Sequence, residues 1–239
     1  GYDPRDPVSI SAPNTPFVTA AEHPRPPKRI AFSPNLGFLP VEDNVQEACE
    51  QAAKTFAAMG ITVEEACIDF TGADEIFHVL RGQLFAGGRA KLLEQKELLK
   101  PEIVWNIESG LEMSGAQIAA ATSARGALYQ RTLEFFKTYD LLLCPAAAVP
   151  PFDGQARYPT EVAGVHLSRY IDWLMICGMV TLTTCPAASI PCGFTSDKRP
   201  VGLQVVGPPR GEAAVISACT LFEQNQPFAD MVPIDPIDA

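Results

Sequence analysis

The fold of this chain is indicated most clearly by the stretch Thr183-Thr-Cys-Pro-Ala-Ala-Ser-Ile-Pro-Cys-Gly-Phe194. The segment Arg199-Pro-Val-Gly-Leu-Gln-Val-Val-Gly207 follows shortly after it. Residues 187–192 and 201–206 have the composition of strands, and the residues between them have the composition of a turn. This pattern predicts two neighbouring antiparallel strands. A helix should follow from Glu212 to Glu223, because Glu212 in the first turn favours the positive end of the helix dipole.

A second decisive segment lies nearer the amino end. Lys28–Ser33 and Ile61–Ala66 have strand character, and Gly60 supplies a stop before the second of them. Apolar residues recur between the two strands at helical spacing: Val41, Val45, Ala48, Cys49, Ala52, Ala53 and Phe56. A strand, a helix and a strand in this order predict a βαβ unit with parallel strands and a right-handed crossover.

The rest of the chain completes an α/β pattern. Residues 72–139 predict three or four helices, residues 140–144 a buried strand ended by a proline, and residues 146–164 a loop. A helical pattern is also present over His166–Met179. We therefore predict an α/β fold with a mixed β-sheet flanked by helices.

Two parts of unequal length are expected. Residues 1–27 are rich in proline and predict an extended connector, because proline is excluded from helix interiors and central strands. Residues 28–239 are expected to form the C-terminal part of an α/β domain.

Composition excludes several classes of function. The chain has 239 residues, 47% of them hydrophobic, and a formal net charge of -10, which disfavours binding to nucleic acid or to anionic membranes. No apolar run reaches the roughly 18 residues of a membrane-spanning helix, and the first residues do not resemble a secretory signal. These features predict a cytoplasmic protein. The seven cysteines sit mostly among apolar residues, which favours reduced thiols in the core over disulfides.

Most known catalytic and metal-binding motifs are absent from the sequence. Cys185 and His166 are one possible nucleophile and base, but a reactive thiolate needs a depressed pKa and a nearby partner. Cys185 and Cys192 are too far apart in sequence for the usual zinc spacing, and no matching Cys or His pair lies elsewhere. We therefore expect no metal and no cofactor.

Other candidate residues have two interpretations each. The carboxylate pairs Glu42-Asp43 and Glu64-Glu65 suggest acid/base work, although most such pairs are solvated surface residues. Tyr170 and Trp173 stand just before the decisive stretch, where they are either a pocket wall or ordinary core residues.

Several blocks in fixed order resemble the amidase signature family. Gly1-Tyr-Asp-Pro-Arg-Asp-Pro7 is similar to the family's segment before a proline-rich connector, and Lys28–Ser33 to the strand that follows. Tyr139-Asp-Leu-Leu-Leu-Cys-Pro145 resembles its Tyr-Asp block with apolar residues and proline. Val180-Thr-Leu-Thr-Thr-Cys-Pro-Ala187 resembles Phe-Asn-Leu-Thr-Gly-Leu-Pro-Ala, and Pro200-Val-Gly-Leu-Gln-Val-Val-Gly207 resembles the Pro-Val-Gly-x-Gln block.

The resemblance implies a mechanism and a place for this chain in it. Such enzymes hydrolyse carboxylic amides with a Ser–cis-Ser–Lys triad, and their oxyanion is held by backbone N–H groups. Those residues belong to a segment that would lie upstream of Gly1, so the resemblance assigns no catalytic residue here. We expect the chain to be a fragment, the C-terminal half of an amidase, and to be inactive alone.

The resemblance also implies where substrate would bind. By position, five residues should approach the substrate tunnel, and three depart from the family pattern: Thr181 replaces Asn, Thr184 replaces Gly and Cys185 replaces Leu. The expected substrate-binding residues are Tyr170, Trp173, Thr181, Thr184 and Cys185.

The expected partners are a small-molecule amide and either the N-terminal half of the amidase or a second copy of this chain. Half of a single-core fold should expose an apolar surface that needs cover. The alternative is a non-catalytic α/β interaction domain derived from an amidase.

Overall fold

The computed structural model describes residues 1–226. Its helices are α1 (Val18–Glu22), α2 (Asp43–Ala58), α3 (Ala73–Arg89), α4 (Pro101–Leu111), α5 (Gly115–Phe135), α6 (Met175–Leu182) and α7 (Glu212–Asn225). Its strands are β1 (Arg29–Phe32), β2 (Thr62–Glu65), β3 (Leu141–Pro145), β4 (Glu161–Val162), β5 (Val165–His166), β6 (Ala187–Phe194) and β7 (Pro200–Val206). Short 3-10 helices cover Ala90–Leu98 and Asp172–Leu174.

The main sheet has five strands in the order β2-β1-β3-β7-β6. Strand β1 runs parallel to both β2 and β3, which confirms the predicted parallel βαβ unit. Strand β7 is antiparallel to β3 and to β6, which confirms the predicted antiparallel pair. The predicted mixed sheet flanked by helices is therefore the observed architecture.

The centre of the sheet is fully enclosed. All five residues of β3 are buried, and since alternate side chains of a strand point to opposite faces, both faces are covered there. Helices α2 and α7 pack against β6 and β7. The rings of Phe56 on α2 and Phe222 on α7 stack with centroids 5.4 Å apart, and both are fully buried. This packing joins the two halves of the described chain in one core.

Helices α3 and α4 cross at two glycines. A Cβ atom placed on Gly110 would lie 2.0 Å from the carbonyl oxygen of Gly82, well inside contact distance. The absence of a side chain at Gly110 therefore sets how closely the two backbones approach.

The prediction of a helix over residues 166–179 is wrong in its first half. Val165 and His166 form β5, which pairs with β4 through a turn at Ala163 and Gly164, both with positive φ. Helical structure starts only at Asp172, whose carboxylate accepts a hydrogen bond from the Arg169 backbone N–H at 2.8 Å. Local turn chemistry therefore overrides the apolar periodicity here.

The proline-rich connector is also more structured than predicted. The residues between Pro16 and Pro24 contain no proline, and five of them form α1. The Ser217 hydroxyl on α7 donates to the carbonyl of Ala20 at 3.0 Å, which fastens α1 to the domain. The last part of the predicted domain, residues 227–239, lies outside the described residues.

Candidate functional site

The passage from α6 into β6 is a turn built from its own hydroxyl groups. Buried Thr183 donates through Oγ1 to the carbonyl of Val180 at 2.7 Å and accepts from the backbone N–H of Cys185 at 3.3 Å. The next residue, Thr184, has φ +59°, in the left-handed region that disfavours β-branched residues. Thr184 stands where the family pattern has glycine, so the structure shows a physical reason for that glycine.

A pocket of about 620 Å³ lies between α3, α5 and α6. Its apolar side comes from α3 residues that include Phe77, Leu80 and Leu84, and Leu84 is 66% exposed. Thr181 and Leu182, at the end of α6, line another part of it. Of the five predicted substrate-binding residues, only Thr181 lines this pocket.

Two arginines that are not among the predicted site residues line the same pocket. Arg81 on α3 lies over the rings of Phe77 and Phe85, with its guanidinium carbon 5.9 and 4.8 Å from their centroids. Arg125 on α5 donates through Nε to the carbonyl of Leu182 at 3.0 Å. A signal existed in the sequence, because Arg81 falls four residues from a phenylalanine on each side and so shares their helix face.

Tyr170 reaches the pocket only through Arg81. Its hydroxyl oxygen accepts from Arg81 Nη2 at 2.8 Å and from Asn106 Nδ2 at 2.7 Å. The Tyr170 ring lies edge-on to those of Trp105 and Tyr158, with centroids 6.1 and 6.0 Å away. These contacts hold the phenol in one orientation and, through it, the guanidinium of Arg81.

Trp173 and Cys185 lie elsewhere. Trp173 packs edge-on against Phe152, with centroids 5.4 Å apart, and borders a smaller hollow of about 240 Å³. Cys185 is half-buried at the start of the passage into β6, and Thr184 beside it is exposed. The structure therefore distributes the predicted substrate-binding residues over at least three places.

The candidate cysteine nucleophile lacks the environment that it needs. Burial raises the pKa of the Cys185 thiol, although a contact with Thr183 acts in the opposite direction. His166 is exposed on β5, and within residues 1–226 no hydrogen bond or ion pair joins it to Cys185. A thiol with a raised pKa is a poor nucleophile near neutral pH.

One residue of each carboxylate pair takes part in a structural contact. Glu64 forms an ion pair with Arg29 across β1 and β2 at 2.5 Å. Glu42 accepts a hydrogen bond from the backbone N–H of Ala163 at 2.9 Å, which holds the β4–β5 turn near the start of α2.

A separate charged cluster surrounds His78. Its Nε2 lies 3.3 Å from an oxygen of Asp74 and 3.8 Å from one of Asp172, and Arg169 contacts both carboxylates. Burial lowers the pKa of His78, Arg169 lowers it further, and the two carboxylates act in the opposite direction. The cluster joins α3 to the segment that carries Tyr170 and Trp173.

The described part of the chain lacks two kinds of feature. No helix among residues 1–226 is long and apolar enough to cross a membrane. Over the same range, no group of three or more His, Cys, Asp or Glu side chains is placed to hold a metal ion.

Comparison with known proteins gives consistent matches. The chain is 29% identical to an acylamidase of Rhodococcus erythropolis over 99% of its length and 50% of that protein. It is 26% identical to one subunit of a glutamyl-tRNA(Gln) amidotransferase of Thermosynechococcus vestitus, over 98% of this chain and 52% of that protein. The chain thus spans about half the length of the curated relatives it matches.

Solved structures share the fold. A bacterial aryl acylamidase of the amidase signature enzymes superposes with a TM-score of 0.82 at 24% identity, over 96% of this chain and 49% of that one. A 6-aminohexanoate cyclic dimer hydrolase superposes with a TM-score of 0.79 at 18% identity, over 98% of this chain and 52% of the other. The family model described as Amidase matches residues 1–216, so this chain belongs to the amidase signature family.

Proposed function

We propose that this chain is the C-terminal part of an amidase that hydrolyses carboxylic amide C–N bonds, with its attacking serine and its lysine on polypeptide outside residues 1–239. The family match over residues 1–216 carries the proposal. It is supported by the relatives' length, since the chain spans about half of each. It is further supported by the Cys185 thiol, whose burial makes it a poor substitute nucleophile.

The reaction is the one implied by the family. The serine oxygen attacks the amide carbonyl carbon, and its proton passes through the bridging serine to a neutral lysine. Backbone N–H groups stabilise the oxyanion, the C–N bond breaks, and the leaving amine takes the proton. Water then hydrolyses the acyl-enzyme, which releases the carboxylic acid and restores the serine.

In this proposal the chain supplies one wall of the substrate site. The pocket between α3, α5 and α6 has an apolar side and two arginines, and Thr181 lines it as well. Tyr170 acts on the pocket indirectly, as a positioning residue for Arg81. Thr184 and Cys185 shape the turn that leads away from it.

The remaining polypeptide is proposed to cover β6. This strand ends the sheet within the described residues, so its outer backbone groups are available for another strand. Ala187, Ser189 and Pro191 on β6 are exposed. The rest of the amidase is the proposed occupant, because the chain has about half the length of its relatives.

We also propose a cytoplasmic location. All seven cysteines are free thiols, and three of them, Cys49, Cys144 and Cys192, are buried. Free thiols in the core are typical of proteins from a reducing compartment.

The test is to translate the DNA directly upstream of Gly1 and to express the joined polypeptide. A Gly- and Ser-rich segment with a preceding lysine is expected there. The joined protein should hydrolyse acetanilide or benzamide, and alanine at the serine or the lysine should lower the rate roughly 1,000-fold or more. Residues 1–239 alone should release no product.

Two results would contradict the proposal. The first is turnover by residues 1–239 alone that is lost in Cys185→Ala, which would indicate a cysteine hydrolase. The second is a start codon beside Gly1 with no serine–lysine segment encoded nearby, which would favour the non-catalytic interaction domain.

A further inference from the structure

The two arginines of the pocket are unlike the other arginines of this chain. Among the described residues, six arginines pair with carboxylates: Arg5, Arg29, Arg131, Arg157, Arg169 and Arg199. Within the same range Arg25, Arg89 and Arg210 form no such pair, but they are exposed, so water solvates them. Arg81 and Arg125 are partly buried and, among residues 1–226, bond only to neutral groups. In a chain with 28 acidic and 18 basic residues, this arrangement calls for an explanation.

A cation that is partly removed from water is unfavourable unless an anion approaches it. Among residues 1–226, no acidic side chain lines the pocket, and Arg81 and Arg125 are its only charged lining residues. Their net effect is therefore a positive site with an apolar wall.

Both guanidiniums have N–H groups that make no hydrogen bond within residues 1–226. Arg81 uses Nε toward Asn106 Oδ1 at 3.2 Å and one Nη2 hydrogen toward Tyr170, and Arg125 uses Nε toward Leu182. The remaining N–H groups form the planar fork that suits a carboxylate. Two rings and two hydrogen bonds already hold Arg81, and one hydrogen bond holds Arg125, so a ligand would need to order little.

We propose that this pocket takes an amide substrate that also carries a carboxylate. The carboxylate binds against Arg81 and Arg125, and the apolar part of the substrate lies along Phe77, Leu80 and Leu84. That the substrate is an amide rests on the proposed function, whereas its carboxylate is inferred from the pocket alone.

The test compares two ligands of equal shape, 4-acetamidobenzoate and 4-acetamidobenzamide, by calorimetry on residues 1–239. The carboxylate should bind roughly tenfold or more tightly at low salt, and the preference should shrink as salt rises. Arg125→Gln should remove most of the preference, as should Arg81→Gln. Arg89→Gln, on the same helix but outside the pocket lining, is the matched control and should keep the preference.

The outcomes separate this inference from the proposed function. Equal affinity for the two ligands, no binding of either at millimolar concentration, or an equal loss in Arg89→Gln and Arg125→Gln would overturn it. If Arg81→Gln fails to fold because Asn106 and Tyr170 lose their partner, Arg125→Gln still decides. Failure of the joined polypeptide to hydrolyse amides would contradict the proposed function but leave the measured carboxylate preference unchanged.

Discussion

At the scale of single residues, Thr184 offers a direct measure of backbone strain. A threonine at φ +59° is disfavoured, whereas glycine adopts this conformation freely. Thr184→Gly should therefore raise the free energy of unfolding by about 0.5–1 kcal/mol, measured by urea titration. Thr183→Gly is the control, because Thr183 has φ -78° and a buried, bonded hydroxyl, and its loss should cost about 1–3 kcal/mol. Equal effects at the two positions would refute the strain argument.

The candidate site was only partly predictable at this scale. Thr181 lines the pocket, and a family pattern places it near the substrate tunnel by sequence order alone, so its role in binding stays a prediction. Arg81 was missed because its importance depends on what faces it: Asn106 lies on a different helix and Tyr170 on a distant loop. The absence of a carboxylate near an arginine is a three-dimensional property that spacing along a chain does not reveal.

At the scale of elements, the crossing of α3 and α4 is set by Gly110. Gly110→Ala would drive a methyl group into the backbone of Gly82, where neither helix has a flexible atom to move. The variant should lose about 3 kcal/mol of stability, or fail to fold. Gly126→Ala in α5 meets open space and should instead gain up to about 1 kcal/mol. Urea unfolding of both variants tests the contrast, and a neutral Gly110→Ala would contradict it.

The His78 cluster predicts how the attachment of α3 to the 172–174 turn depends on pH. Burial lowers the pKa of His78 below its ordinary value of 6.5, so the unfolded chain binds a proton more readily than the folded one. His78 therefore favours folding above pH 6.5, and that contribution is lost as the pH falls through the lower folded-state pKa.

Melting temperatures of the protein and of His78→Gln between pH 7.5 and about 5 test this prediction. The unsubstituted protein should lose more of its thermal stability over this range than His78→Gln does. His23→Gln, at an exposed position, should follow the unsubstituted protein. Parallel curves for all three proteins would contradict the role given to burial.

The sequence predicted helices and strands correctly where their composition was continuous, and wrongly where turn residues interrupted a helical pattern. The βαβ unit and the β6–β7 pair each have continuous strand composition bounded by glycine or proline, and the structure has both. The segment before α6 has apolar residues at helical spacing, but Gly164 with φ +75° and the Asp172 side chain favour a hairpin and a late helix start. Apolar periodicity indicates which residues a helix would bury. It does not indicate whether a turn will form in place of that helix.

At the scale of the whole molecule, the outer edge of β6 should make the chain associate. Light scattering should give a mass above the 25.7 kDa of one chain, because within residues 1–226 no strand pairs with the outer edge of β6, and such an edge beside exposed apolar residues attracts another strand. Ala187→Lys should reduce this association, and Ala124→Lys, exposed on α5, should not. A monodisperse monomer that does not increase the fluorescence of a dye that binds apolar surface would contradict this prediction.

The direction change between β3 and β7 has a consequence for synthesis on the ribosome. Arg29 at the start of β1 is held by the carboxylate of Asp140, 111 residues later, and β3 pairs on its other side with β7. In a nascent chain β1 can pair with β2 early. The pairing of β3 with β7, in the middle of the sheet, becomes possible only after residue 206 has left the exit tunnel. During that interval the part of α2 that packs against β6, β7 and α7 remains exposed, so translation speed and chaperone supply should govern the yield of folded protein.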